Sequence, residues 1–164
     1  MSKHSEKTEK TNVMRILDAH GARYVTHCYV LSGAVDGTDV AAALGEDPRH
    51  MFKTLVTVGK SGAHYVFMVP VCRELDLRKA AATVGEKSVS MVKSKELLPL
   101  TGYVHGGCSP IGMKKQFETV ADESAAQFDT IIFSAGKVGY QVEMPVSALA
   151  ETVPLRLAPI AVNG

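Results

Sequence analysis

Two runs of β-branched and aromatic residues, 51–58 and 64–71, constrain the fold of this chain more than any other feature. They are separated by Gly59-Lys60-Ser61-Gly62-Ala63, and a polar five-residue connection with two glycines is typical of a β-hairpin. A hairpin pairs its strands antiparallel, whereas a doubly wound parallel sheet needs a helical crossover between strands. The sequence therefore predicts an α+β fold.

Other segments add short strands and short helices around this hairpin. A second hairpin is predicted from 130–134 and 138–144, around Gly136-Lys137. Further strands are predicted at 24–31, 87–91 and 155–160, and helices at 13–17, 38–44, 77–84, 94–98 and 146–152. Asp36 or Thr38 is expected to start the second helix, and Asp76 the third. The chain has 164 residues, of which 46% are hydrophobic, enough for one core, so we expect a single domain over 11–164 after a disordered tail at 1–10.

Charge and cysteine content limit the functional classes. The formal charge is +1, from 18 basic and 17 acidic residues, which argues against a general electrostatic nucleic-acid binder of high affinity. The three cysteines lack CxxC spacing, and residues 1–10 lack the apolar stretch of a signal peptide. No stretch approaches the roughly 20 apolar residues that span a bilayer. We expect a cytoplasmic protein with reduced thiols and no membrane association.

Several catalytic and metal-binding motifs are incomplete. Gly59-Lys60-Ser61 resembles the end of a phosphate-binding loop, but Thr54 stands where that motif needs a glycine. Ser109 is not in a GxSxG elbow, so nothing specific makes it a nucleophile. The six histidines contain no HxH or HxxxH pair, and His105 with Cys108 lacks a second half-site. The sequence therefore predicts no metal centre and no cofactor.

Lys53 interrupts an otherwise apolar strand. An unpaired ammonium has little room in a strand with two apolar faces. Lys53 lies either at the exposed start of the strand or in a cleft, and the residues alone leave both positions open. In a cleft it would hold a substrate carbonyl or phosphate as a point charge.

The decapeptide 106–115, GGCSPIGMKK, combines three glycines with two lysines. Glycines allow backbone amides to approach a ligand closely, and Pro110 stiffens the loop. Such a loop can direct N–H groups at one anionic oxygen, a phosphate or an oxyanion; the alternative is a surface connection with a solvated basic end. Cys108 is either a thiol activated by the nearby lysines or, as we prefer, a small apolar filler.

Four segments together resemble one family in order and over nearly the whole chain after the tail. They are FKTLV at 52–56, LDLRKAA at 75–81, TGYVHGGCSPIGMKK at 101–115 and SAGKVG at 134–139. This pattern resembles the YbaK/EbsC family of bacterial aminoacyl-tRNA deacylases, which are related to the editing domain of prolyl-tRNA synthetases. The resemblance implies a single α+β domain in which a mixed, curved sheet of six or seven strands is flanked by helices.

The resemblance also implies roles for individual residues. Lys53 matches the essential lysine, which holds the terminal adenosine, and Gly106 begins the loop whose amides position the aminoacyl carbonyl. Gln141 stands where relatives often have an acidic residue, which leaves fine specificity open. The substrate-binding set implied by the resemblance is Tyr29, Phe52, Gly107, Ser109, Pro110, Ser134 and Gly136.

The implied reaction is removal of cysteine misattached to tRNA(Pro). The substrate thiol would attack its own ester carbonyl, so that the enzyme supplies position and oxyanion stabilisation without a protein nucleophile. The implied partners are the acceptor end of tRNA(Pro) and, in a transient complex, prolyl-tRNA synthetase. Two alternatives stay open: hydrolysis of alanine, serine or proline from a misacylated tRNA, with water as nucleophile, and a non-catalytic adaptor that binds the synthetase and tRNA.

Overall fold

The computed structural model describes residues 10–34 and 36–163. The predicted disordered tail, residues 1–10, lies outside the described residues except for Lys10. The described helices are α1 (Asn12–Ala19), α2 (Gly37–Leu44), α3 (Leu77–Val84), α4 (Ser94–Thr101) and α5 (Val146–Thr152). The described strands are β1 (Val25–Cys28), β2 (Phe52–Gly59), β3 (His64–Pro70), β4 (Val89–Met91), β5 (Glu118–Asp122), β6 (Ile131–Ser134), β7 (Tyr140–Met144) and β8 (Leu155–Ala158).

The strands form two sheets, with orders β4-β2-β3-β5-β8 and β1-β7-β6. Both predicted hairpins are present, since β2 pairs antiparallel with β3 and β6 pairs antiparallel with β7. β5 lies parallel between β3 and β8, so the larger sheet is mixed. The α+β class predicted from the sequence is confirmed.

The strand number differs from the expected six or seven, because the described residues contain eight strands in two sheets. The additional strand is β5, in which Thr119 and Asp122 are buried. These polar residues interrupt the apolar pattern by which buried strands are recognised. The two sheets meet where Met51 forms a parallel bridge with Ile132, whose N–H donates to the His50 carbonyl at 3.2 Å.

Local capping explains where the helices begin. Asp36 caps α2 by accepting from Thr38 N, and Asp76 caps α3 by accepting from the N–H groups of Arg78 and Lys79. Of the two residues expected to start the second helix, Asp36 is therefore the cap. These side chains satisfy amides that lack an intrahelical partner. Within the described residues, no helix has both the length and the apolar character needed to cross a membrane.

A small apolar cluster holds the ends of several elements together. Tyr29 follows β1, Val40 and Ala41 belong to α2, Met51 precedes β2, and Ile132 lies in β6; all five are buried against one another. Because apolar contacts fix these element ends, the polar residues next to them have defined positions. This cluster forms the floor of the cavity described below.

Candidate active site

A cavity of about 550 Å³ opens where the two sheets meet. Its size suits a small ligand or one end of a larger one. The walls come from the start of α2, the start of β2, the 102–117 loop and the β6–β7 hairpin. The lining residues are Tyr29, Asp36, Gly37, Val40, Met51, Phe52, Lys53, Thr54, Leu55, Val71, Leu97, His105, Gly106, Cys108, Ser134 and Gln141.

Lys53 lies in the wall of this cavity. The sequence left open an exposed start of the strand or a position in a cleft, and in the structure Lys53 lies in the cleft. It is the second residue of β2, and its side chain is 28% exposed. Nζ lies 3.5 Å from Glu74 Oε2, but the Glu74 side chain is 82% exposed. An ion pair with so exposed a partner is weak, which leaves the ammonium available to a ligand in the cavity.

Gly106 lines the same cavity, in a tight turn. Gly107 N donates to the Val104 carbonyl at 2.9 Å, which closes a β-turn over 104–107. Gly106 has φ +87°, and no described non-glycine residue has a positive φ, so His105 does not. This combination defines a type II turn, which favours glycine at its third position.

Two backbone amides, one within this turn and one directly after it, lack an acceptor in the described part of the chain. Among the described residues, the backbone N–H groups of Gly106 and Cys108 have no hydrogen-bond acceptor. Backbone amides are normally paired when they are buried, and Cys108 is buried while Gly106 is partly buried. The loop therefore presents N–H groups of the kind that bind an oxyanion.

The rest of the predicted loop residues lie behind the cavity wall. Gly107, Ser109 and Pro110 are buried and do not line the cavity. A Cβ on Gly107 would lie 3.1 Å from Val138 N, so glycine permits the loop to pack against the β6–β7 turn. The Ser109 hydroxyl accepts from Ile111 N at 3.3 Å. The buried packing of these three residues holds the loop that carries Gly106.

Tyr29, Phe52 and Ser134 lie in the cavity wall, as the predicted site requires, while Gly136 does not. Gly136 N donates to Ser134 Oγ at 3.1 Å and thereby fixes the orientation of that hydroxyl. Gln141 pairs with Ser134 across β6 and β7 and also lines the cavity. Only 6% of Gln141 is exposed, so its side-chain amide is largely buried in the cavity wall.

Cys108 lines the cavity as a thiol. Burial raises its pKa to about 12, against a smaller opposing effect of a hydrogen bond with Thr101. A thiol with this pKa is protonated at neutral pH and is a poor nucleophile. The preferred interpretation, a wall residue, agrees with this environment.

The sequence reasoning missed the contribution of α2 and of Thr54. Asp36 and Gly37 line the cavity, and a Cβ on Gly37 would lie 2.7 Å from Val71 Cγ1, so glycine lets the helix start approach β3. Hydrogen bonds from Thr38, with a smaller effect of the Lys53 charge, lower the pKa of Asp36. Thr54 Oγ1 is buried without a partner among the described residues. The capping signal at Asp36 was visible, but only the tertiary fold brings it beside Lys53.

Comparisons with known proteins identify the family. Residues 33–152 match the aminoacyl-tRNA editing domain. The chain is 44% identical over 142 residues to EbsC of Enterococcus faecalis, which is named as a Cys-tRNA(Pro)/Cys-tRNA(Cys) deacylase; the match covers 86% of this chain and 87% of EbsC. It is 28% identical over 102 residues to the proline–tRNA ligase of Thermosipho melanesiensis, covering 62% of this chain and 18% of the ligase.

A solved structure shows the same fold. It is described as a trans-editing enzyme for prolyl-tRNA synthetase, and it superimposes with a TM-score of 0.79 at 22% identity over 99% of both chains. At 22% identity this likeness shows the fold alone. The family assignment rests on the family match and on the 44% identical relative. The chain belongs to the aminoacyl-tRNA editing domain family, whose members are hydrolases.

Proposed function

We propose that this chain is a trans-editing hydrolase that removes cysteine from misacylated tRNA(Pro). The observation that carries the proposal is that Lys53 and Gly106 line one cavity, in a chain 44% identical to a protein named as a Cys-tRNA(Pro)/Cys-tRNA(Cys) deacylase. The three cysteines of the chain are free, which agrees with action in the cytoplasm.

Unpaired polar groups in the wall support an aminoacyl ester as ligand. Thr54 Oγ1 and the Gly106 N–H have no partner among the described residues, and the polar side chain of Gln141 lines the same cavity. Buried polar groups cost free energy unless they are hydrogen-bonded. A ligand that offers an ester carbonyl, a ribose hydroxyl and an α-amino group would complete these hydrogen bonds.

The proposed reaction uses the thiol of the substrate. Its sulfur attacks the ester carbonyl, the carbon–oxygen bond to the terminal ribose breaks, and the thiol proton passes to the ribose oxygen. The products are free tRNA and a cysteine thiolactone, which water then opens to cysteine. Gly106 N–H would stabilise the oxyanion, and the Lys53 ammonium would hold the terminal nucleotide.

The test is release of labelled cysteine from Cys-tRNA(Pro) by substoichiometric protein. We expect multiple turnovers, and at least about a 100-fold loss for Lys53→Ala, the magnitude typical of removing one preorganised electrostatic contact. Glu74→Gln is the matched control, because it removes the exposed partner of Lys53 without altering the cavity wall. Absence of release, with prolyl-tRNA synthetase added, would refute cysteine editing.

A complex with prolyl-tRNA synthetase is part of the proposal. The formal charge of +1 predicts weak affinity for tRNA alone, because phosphate contacts supply most non-specific affinity. The synthetase would deliver its misacylated product to the chain. We expect addition of the synthetase to lower the KM for Cys-tRNA(Pro) while leaving kcat unchanged.

Two further outcomes of the same assay identify the alternatives. Release of alanine, serine or proline in place of cysteine would indicate hydrolysis by water, since these amino acids carry no thiol. Binding of tRNA and synthetase without any release would indicate the adaptor.

A further inference from the structure

Two histidines and two glutamates lie close together outside the cavity lining described above. His27 belongs to β1, Glu143 to β7, and Glu46 and His50 to the connection between α2 and β2. One ligand atom each from His27, Glu46 and Glu143 lies within 4.8 Å of the other two. None of the four lines the 550 Å³ cavity. We propose that this cluster is a binding site for a divalent transition-metal ion of the Zn²⁺ type.

The hydrogen bonds of His50 support ligation through Nδ1. His50 Nε2 lies 2.6 Å from the Thr130 carbonyl oxygen, which can only accept, so Nε2 carries the proton. In the neutral ring Nδ1 then presents a lone pair, and it lies 3.6 Å from Glu46 Oε1. Metal-binding histidines commonly donate their other ring N–H to a carbonyl in this way. His50 Nδ1 thus faces Glu46, beside the three residues whose ligand atoms lie within 4.8 Å of one another.

The charge of the cluster also favours a cation. Glu46 and Glu143 bring two carboxylates whose side chains are only about a quarter exposed. Glu143 Oε1 lies 2.8 Å from His27 Nε2, and Glu143 Oε2 accepts from the Thr130 hydroxyl at 2.6 Å. With neutral imidazoles the cluster carries two negative charges, which one divalent ion neutralises. Imidazole and carboxylate together suit Zn²⁺.

The distances require small side-chain adjustments. Four ligands at about 2.0–2.2 Å in a tetrahedron lie about 3.4 Å apart. The His27–Glu143 pair would therefore open slightly, and the separations up to 4.8 Å would close. The ion would take the place of the hydrogen between His27 Nε2 and Glu143 Oε1. The neutral imidazole would then carry its proton on Nδ1, so that binding changes the tautomer of His27 without net release of a proton.

The ion would join segments that flank the candidate active site. His27 pairs with Gln141 across β1 and β7, and Glu143 lies two residues further along β7 on the same face. Gln141 lines the cavity. A metal bound to these side chains would fix the β7 wall to the α2–β2 connection, which indicates a structural rather than a hydrolytic ion.

The experiment titrates chelator-treated full-length protein with Co²⁺ and Zn²⁺, without tRNA. Cys28 and Cys72 are exposed, so the titration uses a Cys28→Ser/Cys72→Ser background to exclude thiolate ligation. We expect one equivalent of Co²⁺ to bind with a visible absorption band, and Zn²⁺ to displace it. We expect His27→Ala and Glu143→Gln each to weaken affinity at least about tenfold, while the exposed His20→Ala leaves it unchanged.

Three results would overturn the proposal. The first is no saturation below about 100 μM metal, a concentration well above the dissociation constants of structural sites. The others are equal metal affinity in wild type and His27→Ala, and loss of metal binding in the Cys28→Ser/Cys72→Ser background. Glu46→Gln is the second variant. Glu46 lies in the connection between α2 and β2, so its substitution disturbs no strand and we expect the protein to fold. If Glu143→Gln fails to fold, a tenfold loss in Glu46→Gln supports the site, and unchanged affinity refutes it. The readout is metal binding and is therefore independent of the tRNA reaction.

Discussion

The substitution Gly106→Ala separates the conformational role of the turn from its role in the reaction. Gly106 has φ +87° at the third position of the 104–107 turn, and an L-residue in the left-handed region costs about 1–2 kcal/mol. An unfolding entropy of about 2.1 cal/mol/K per residue gives about 0.34 kcal/mol/K for 164 residues. We therefore expect Tm to fall by about 3–6 °C.

We expect Gly106→Ala to lower the reaction rate by more than its loss of stability alone would cause. To escape the strained conformation the turn must shift, and a displacement of about 1 Å in a positioning group costs about 100-fold in rate. The assay is single-turnover release of labelled cysteine from Cys-tRNA(Pro). It is run at least about 20 °C below the measured Tm, where nearly all of the protein is folded. We expect the rate to fall about 100-fold while circular dichroism shows a folded protein.

Gly62→Ala is the matched control for Gly106→Ala. Gly62 lies in the β2–β3 turn with φ +95°, and a Cβ there would contact nothing within 4 Å. It carries the same backbone strain away from the cavity, so we expect a similar fall in Tm and an unchanged rate. A wild-type rate in Gly106→Ala, despite the lower Tm, would refute the role of this loop in positioning the carbonyl.

Two other substitutions test the protonation states. Cys108→Ala should retain most deacylase activity, because a buried thiol with a pKa of about 12 is no nucleophile at neutral pH; a loss equal to that of Lys53→Ala would contradict this. Asp122→Asn should lower the free energy of unfolding by about 1–3 kcal/mol. Burial acts to raise the pKa of Asp122, but hydrogen bonds from Ser124 and the Ile160 and Ala161 amides outweigh it, and the pKa is lowered. This stabilisation is present above about pH 3.9, the pKa of Asp in the unfolded chain, and is lost as pH falls through the lower pKa of the folded state. In urea unfolding, the free energies of unfolding of wild type and Asp122→Asn should therefore converge in acid.

The fold was largely predictable because its signals are local. Helix α3 lies between Asp76 and Gly85 in the sequence, and the β2–β3 hairpin is marked by its glycine-rich turn. Strand β5 was not predictable, since Asp122 is a buried carboxylate whose acceptors are filled by amides from 160–161, which only the tertiary fold supplies. Division of the strands into two sheets likewise depends on long-range pairing.

The candidate site was predictable in part for the same reason. Lys53 was marked by its position in an apolar strand, and Gly106 by the composition of its loop. Gln141 was recognised only as a departure from the family, whereas its burial in the cavity wall depends on the pairing of β6 with β7. Histidine spacing detects only groups that share a segment, so the approach of His27 and His50 to Glu143 could not be predicted from it.

The division of the cavity between two sheets has a consequence for the evolution of specificity. Lys53 belongs to the five-stranded sheet, whereas Ser134 and Gln141 belong to the three-stranded sheet. The sheets are joined at the Met51–Ile132 bridge, so side chains on one wall can be exchanged with little repacking of the other. If the proposed function holds, the wall that carries Lys53 and the wall that carries Ser134 and Gln141 can therefore diverge at different rates.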